Sequence, residues 1–212
     1  MTGNPYEQPG WRGVLRPGGA ELTRRLLELA DLASGSAVLD VGCGEGDTCA
    51  LLEELGFRAA GLDCSGRLLA RGRARHPHLT LLEGDAAHPP FPPRSQDALL
   101  FECTLSAMDA PTALDGCLPL LRPGGMALMA DLYARLPSPV LPTRAEWEAL
   151  LTAHGLRPLG FEDQSKALGS FLAQKIMDGE DLCALLCRPL DQFRAAKAGY
   201  CLLWAVYEEE LP

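Results

Sequence analysis

Residues 37–46 read Ala37-Val38-Leu39-Asp40-Val41-Gly42-Cys43-Gly44-Glu45-Gly46. The first five form a short apolar run, which has the length and composition of a buried strand. That run enters a turn with three glycines spaced Gly-x-Gly-x-Gly. Glycine lets the backbone turn tightly and approach a ligand with no side-chain collision. From about Asp47 the apolar residues recur at helical spacing, with Ala50, Leu51, Leu52 and Leu55 inward and Gly56 as the C-terminal stop. Strand, glycine turn and helix in that order predict a ligand seated beyond the carboxyl end of a parallel strand.

The same alternation extends in both directions. Upstream, Leu22, Leu26, Leu29 and Ala33 recur at helical spacing from near Gly19, and Ser34-Gly35-Ser36 closes that helix. Downstream, residues 58–63 read as a second strand, and Ser65 caps a helix that ends before Pro77. Residues 79–82, 97–101 and 126–130 are the third, fourth and fifth strands, with a proline-rich loop before the fourth. Ala113, Leu114, Cys117 and Leu121 mark a helix face between the fourth and fifth. Thr143-Arg144-Ala145-Glu146 matches a capping box and opens a helix through His154, stopped by Gly155. A strand over 156–162, further helices and a last strand over 200–207 complete the pattern. This predicts one doubly wound α/β domain over residues 1–212 with a mostly parallel sheet. A helical insertion, about 167–197, is expected to sit over the ligand site.

Composition excludes several classes. Hydrophobic residues make up 47% of the 212 positions, which suits a globular core. No apolar run approaches the ~18 residues of a membrane span, and the first residues lack the basic-then-apolar order of a secretory leader. The expectation is a cytoplasmic protein with no membrane partner. A formal net charge of −9 argues against nucleic acid, whose phosphates call for clustered cations. The local exception, Arg67, Arg71, Arg73 and Arg75 on one short helix, reads as a solvated face. None of the eight cysteines forms a Cys-x-x-Cys pair, so no metal site is expected. Buried thiols packing as small hydrophobes are the main reading, with Cys183 and Cys187, four residues apart, left as a candidate shared-ligand pair.

Three further strand ends carry chemistry. Asp63, closing the second strand, can accept hydrogen bonds from both hydroxyls of a ribose, or serve only as a turn or cap residue. Glu83-Gly84-Asp85-Ala86 follows the third strand. An Asp side chain plus the next backbone amide can read the amino group and ring nitrogen of adenine. Glu102 closes the fourth strand. A dinucleotide cofactor is disfavoured, because the glycine spacing departs from Gly-x-Gly-x-x-Gly and Asp47 would repel a pyrophosphate.

The series VLDVGCGEG, GLD, EGDA and LRPGG resembles the motif series of class I S-adenosylmethionine (SAM)-dependent methyltransferases, over roughly residues 20–135. Within them it is similar to the branch containing ubiquinone/menaquinone C-methyltransferases, and its last part resembles a poorly characterised bacterial group. The resemblance implies a Rossmann-like sheet of seven strands with an antiparallel last strand, SAM as cofactor and a small-molecule acceptor. It implies that Asp40, Gly42, Cys43, Gly44, Glu45 and Gly46 surround the methionine end. Asp63 would hold the ribose with Cys64 beside it, Asp85 and Ala86 would contact adenine, and the backbone at Glu102 would meet the methionine amino group. The N-terminal segment 1–19, with Arg16-Pro17-Gly18-Gly19, is expected to lid the site. Two features depart from relatives: Glu102-Cys103-Thr104-Leu105-Ser106 lacks a His after the Leu, and no (Asp/Asn)-Pro-Pro-Tyr tetrapeptide occurs. Methylation of base or glutamine amino groups is therefore not expected.

In-line methyl transfer rests on positioning in a dry pocket, and a base is needed only for an acceptor protonated at neutral pH. Candidate bases by position are Glu102, Asp131 and Tyr133, each with a plainer alternative as cofactor contact, cap and packing aromatic. A thiolate at Cys103, with Cys64 or with Cys183 and Cys187, would suit a soft acceptor such as arsenite. The alternative to an enzyme is a SAM-binding subunit that assembles with or regulates a partner.

Overall fold

The computed structural model describes residues 16–186 and 188–208. Most of the expected N-terminal lid, residues 1–15, and Cys187 of the Cys183/Cys187 pair lie outside them. Strand β1 (Ala37–Val41) is buried at every position, as a strand covered on both faces must be. Strands β2 (Arg58–Asp63), β3 (Thr80–Glu83), β4 (Gln96–Glu102), β5 (Leu121–Tyr133), β6 (Leu156–Asp163) and β7 (Gly199–Tyr207) join it in one seven-stranded sheet. The spatial order is β3-β2-β1-β4-β5-β7-β6. Neighbours from β3 to β5 pair in parallel, and β7 runs antiparallel to both β5 and β6. The fold is the Rossmann-like α/β class expected, with its antiparallel last strand.

Strand order reverses between β1 and β4, which places the topological switch point and its crevice at their carboxyl ends. Helices α1 (Gly19–Ala30), α2 (Asp47–Glu54), α3 (Gly66–Arg75), α4 (Ala110–Cys117) and α5 (Arg144–Ala153) cover the sheet. One core gathers Leu39, Phe101, Leu114, Trp147 and Leu203; the other gathers Leu26, Val38, Leu52, Leu100 and Tyr200. The capping chemistry holds in detail. Ser65 Oγ accepts from Leu68 N at 3.3 Å, and Thr143 and Glu146 exchange the two bonds of a capping box.

Two elements differ from the expectation. Strand β5 starts at Leu121 instead of Met126, because Leu121 is buried and pairs with Gln96 while Met126 pairs with Ala98. The intervening Arg122–Gly125 makes the expected turn as an excursion within the strand, with Gly124 at φ 77°. The segment between β6 and β7 holds α6 (Ser165–Met177), α7 (Leu182–Leu186) and α8 (Leu190–Ala195). Its Leu168, Leu186 and Phe193 are buried in the core that α1 shares. Gln164 N donates to Tyr200 O at 2.7 Å, so the two ends of the insertion meet. Among the described residues no helix is long and apolar enough to cross a membrane.

Candidate functional site

A cavity of about 520 Å³ opens at the carboxyl ends of β1, β2 and β4, within the size range of small-molecule sites. Gly42, Gly44 and Gly46 all take positive φ, 83°, 55° and 79°, a region that other residues enter only with strain. The backbone thereby folds back at the mouth of β1. Gly42 N donates to Leu62 O at 2.7 Å, tying the turn to β2. A Cβ at Gly42 would stand 2.3 Å from Thr104 Cγ2, so the loop after β4 packs directly on the turn.

Asp63 lies half-buried at the rim. Its Oδ2 accepts from Gly44 N and its Oδ1 from Ser65 N, each at 2.8 Å. Two backbone donors fix the carboxylate and still leave acceptor positions on both oxygens. Asp85 is exposed and accepts from Ala87 N at 3.0 Å; with Ala86 it forms the far wall. Of the residues expected to touch the cofactor, Asp40, Gly42, Cys43, Gly44, Glu45, Asp63, Cys64, Asp85, Ala86 and Glu102 line the cavity, whereas Gly46 does not. Gly46 instead serves α2 as its left-handed N-cap, and a Cβ there would press on Leu81 at 3.0 Å.

Charge is concentrated at the β1 and β4 ends. Six acidic side chains line the cavity: Asp40, Glu45, Asp63, Asp85, Glu102 and Asp109. Burial, helped by the neighbouring Glu102, pushes Asp40 up to about 8, with Arg16 opposing. Glu102 is fully engaged. Its Oε1 accepts from Thr23 Oγ1 at 2.7 Å, and its Oε2 accepts from Thr48 Oγ1 at 2.9 Å and lies 2.9 Å from Arg16 Nε. Arg16 Nη2 also donates to Thr23 Oγ1 at 2.8 Å. The described end of the N-terminal segment, from Arg16 to α1, is thus strapped against the cavity.

The other two candidate bases sit elsewhere. Asp131 is fully buried in β5 and does not line the cavity. Its carboxylate accepts from Ser106 N, Ser106 Oγ and Leu132 N at 2.9, 2.6 and 2.7 Å. Burial raises its pKa despite those bonds. Tyr133 is 7% exposed and packs edge-on to Phe161, 5.2 Å between centroids, also outside the cavity lining. β5 runs on to Tyr133, so Asp131 lies within the strand and Tyr133 is its last residue, and both are buried instead of facing the cavity.

The cysteines and arginines have uses of their own. Cys103, at φ 57°, sets Sγ 3.3 Å from Tyr200 Oη, and burial pushes its thiol up, away from the thiolate a soft acceptor needs. Among the described residues no group of His, Cys, Asp and Glu is arranged to hold a metal ion. The basic helix α3 is not simply solvated. Arg71 and Arg75 pair with Glu45 at 3.0 and 2.7 Å, Arg75 also with Asp47, and Arg73 donates twice to Leu81 O. These contacts brace the glycine turn from outside.

Sequence reasoning missed Thr48, Thr104 and the wall from Ala107 to Ala113. Thr48 stands one residue past the start of α2, and the wall comes from the loop after β4 and from α4. The rule that ligands meet strand ends points only at the residues immediately following each strand. The insertion, expected over the site, contributes no lining residue among the described residues. It touches the site indirectly, through Arg188, which donates to Ser106 O and, at 3.1 Å, to Val140 O.

A family model described as a methyltransferase domain matches residues 38–125, from β1 to the turn within β5. Over those residues the chain resembles a methyltransferase domain. The chain is 34% identical over 103 residues to a probable S-adenosylmethionine-dependent methyltransferase of Mycolicibacterium smegmatis, covering 48% of this chain and 40% of that protein. It is 30% identical over 148 residues to a demethylmenaquinone methyltransferase of Paenarthrobacter aurescens, covering 69% and 56%. The matched parts thus span about half the length of these relatives. In fold, the chain is similar to geranyl diphosphate C-methyltransferase from Streptomyces coelicolor, solved with S-adenosyl-L-homocysteine. There the TM-score is 0.73 at 16% identity, over 89% of this chain and 77% of that one.

Proposed function

We propose that this chain transfers a methyl group from SAM to a small-molecule acceptor. The observation that carries the reading is the acid-lined cavity at the switch point, with Asp63 held open-faced at its rim by Gly44 N and Ser65 N. The lining suits the cofactor: a carboxylate for two hydroxyls, Asp85 with the Ala86 amide for a purine edge, and acidic surroundings for a cation. Bound there, SAM supplies an electrophilic methyl group on a sulfonium. The protein's part is to orient and to exclude water. Asp63 fixes the ribose end, while the glycine turn presents backbone in place of side chains. Glu102, engaged by Thr23, Thr48 and Arg16, holds these neighbours in place. Asp131 holds the Ser106 turn in place through its three accepted bonds. The reading therefore favours an acceptor atom that is already nucleophilic near neutral pH, such as a thiolate, an unprotonated amine or an acidic enol.

Calorimetric titration of S-adenosylhomocysteine tests the reading, with Asp63→Ala as control. Micromolar binding by the native chain, weakened by about 100-fold in the variant, is expected; two charge-assisted hydrogen bonds are worth that much. A native chain that binds neither S-adenosylhomocysteine nor SAM would overturn it. With binding in hand, release of S-adenosylhomocysteine from SAM across a panel of thiols, amines and quinols identifies the acceptor.

A further inference from the structure

Asp109, Thr112, Ala113, Gly116 and Cys117 share one face of α4 and its N-cap at helical spacing. The first three line the cavity, and the last two meet the loop that follows β3, where Asp85 and Ala86 stand. Cys117 is buried, and its Sγ donates to Ala86 O at 3.3 Å. The same peptide unit turns its N–H, that of Ala87, to Asp85 Oδ1 at 3.0 Å. One peptide group thus links a thiol behind the loop to a carboxylate in front of it. We infer that Cys117 and Gly116 are positioning residues that aim Asp85 and so set selectivity for a 6-amino purine, an inference that rests on the SAM reading.

A peptide group turns as one plane, so holding Ala86 O fixes the direction of the Ala87 N–H and, through it, the carboxylate. Hydrogen bonds in series also strengthen one another. Burial, with the nearby Asp85 second, pushes the Cys117 thiol up to about 12, so the sulfur keeps the proton it donates. Gly116 guards the same approach by steric means. It lies within α4 with no left-handed φ, a place where alanine is the better helix former. A Cβ there would stand 2.2 Å from Ala86 O and 2.5 Å from Ala87 O. Both atoms are backbone, so only glycine lets α4 come close enough for the thiol to reach the loop. Asp85 Oδ1 is turned to Ala87, which leaves Oδ2 for a donor such as the exocyclic amino group of adenine. A 6-oxo purine would set an oxygen against it instead.

The experiment compares two probes, S-adenosylhomocysteine and S-inosylhomocysteine, which carries a 6-oxo group in place of the amino group. Each is titrated calorimetrically into the native chain, Cys117→Ala, Cys117→Ser and Gly116→Ala. The native chain is expected to prefer the adenosyl probe by about 100-fold, as two mispaired hydrogen bonds imply. Cys117→Ala and Gly116→Ala are expected to lower that preference by about tenfold. Cys117→Ser also removes the sulfur but keeps a donor, and is expected to hold the preference within about threefold of native. A general loosening of the fold weakens both probes alike and leaves their ratio unmoved, so the ratio isolates positioning. No preference in the native chain, an unchanged preference in Cys117→Ala, or an equal fall in Cys117→Ser overturns the inference, while binding of S-adenosylhomocysteine keeps the cofactor site standing. A native chain that binds neither probe overturns both readings together.

Discussion

Asp40 ends β1 with a carboxyl that is 3% exposed, close to Glu102 and Arg16. Its ordinary value is 3.8, and folding raises it to about 8, with burial as the first cause. The folded chain therefore holds a proton there that the unfolded chain releases between these limits. The contribution of Asp40 to stability is most favourable below about pH 4 and is lost as pH rises toward 8. Asp40→Asn removes that loss. The variant is expected to match the native chain near pH 4 and to exceed it at pH 8 by on the order of 5 kcal/mol, read from urea unfolding at both pH values. An unchanged difference between the two pH values would show that Asp40 ionises freely in the fold. The other candidate site residues were unequally legible at this scale. Asp63 and Asp85 announce themselves by following apolar strands. Arg16 does not, because its partner Glu102 is 86 positions away and only the packing of α1 on β5 and β7 brings them together.

Among the elements, α3 shows how far local propensity can mislead. Gly72 lies mid-helix, where alanine would ordinarily add about 1 kcal/mol of stability. In this fold a Cβ at Gly72 would stand 2.4 Å from the carbonyl oxygen of Glu45. That atom is backbone of the glycine turn, fixed on its other side by the Glu45 pairs with Arg71 and Arg75. Gly72→Ala is therefore expected to destabilise by roughly 1–3 kcal/mol, lowering the melting temperature, and to weaken S-adenosylhomocysteine binding by displacing the turn. A melt that rises, with binding intact, would mean the helix can slide outward at little cost. Helix boundaries, caps and stops were readable because they depend on neighbours in sequence: Ser65, the Thr143/Glu146 box, Gly56 and Gly155. The arginines of α3 were not, since a run of like charge looks the same whether it meets water or the acidic residues of a neighbouring turn. The start of β5 was hidden for a related reason. Arg122-Pro123-Gly124-Gly125 has turn chemistry, and the pairing that continues past it is a property of β4.

For the molecule as a whole, the parallel half of the sheet follows from strand-helix alternation, whereas the position of β7 between β5 and β6 does not. That placement depends on antiparallel pairing across the 164–198 segment, with Asp131 opposite Cys201 and Asp163 opposite the same residue. β7 is buried through Leu203 and supplies members of both main cores. A chain ended at Ala198 would expose two sheet edges and both cores at once. It is expected to appear in the insoluble fraction, or as large species in size-exclusion chromatography, where the native chain elutes as discrete particles. A soluble, SAM-binding truncation would show that β1 to β5 hold together alone. The same topology sets a timetable on the ribosome. At about 5–20 residues per second, roughly 2–7 seconds separate the emergence of Asp163 from that of Gly199. Through that interval β5 and β6 lack the strand that joins them, and the helices made meanwhile are what nascent chain there is to shelter their edges. Synthesis rate across 164–198 thus becomes a lever on yield, one that synonymous codon choice can move without altering a single residue.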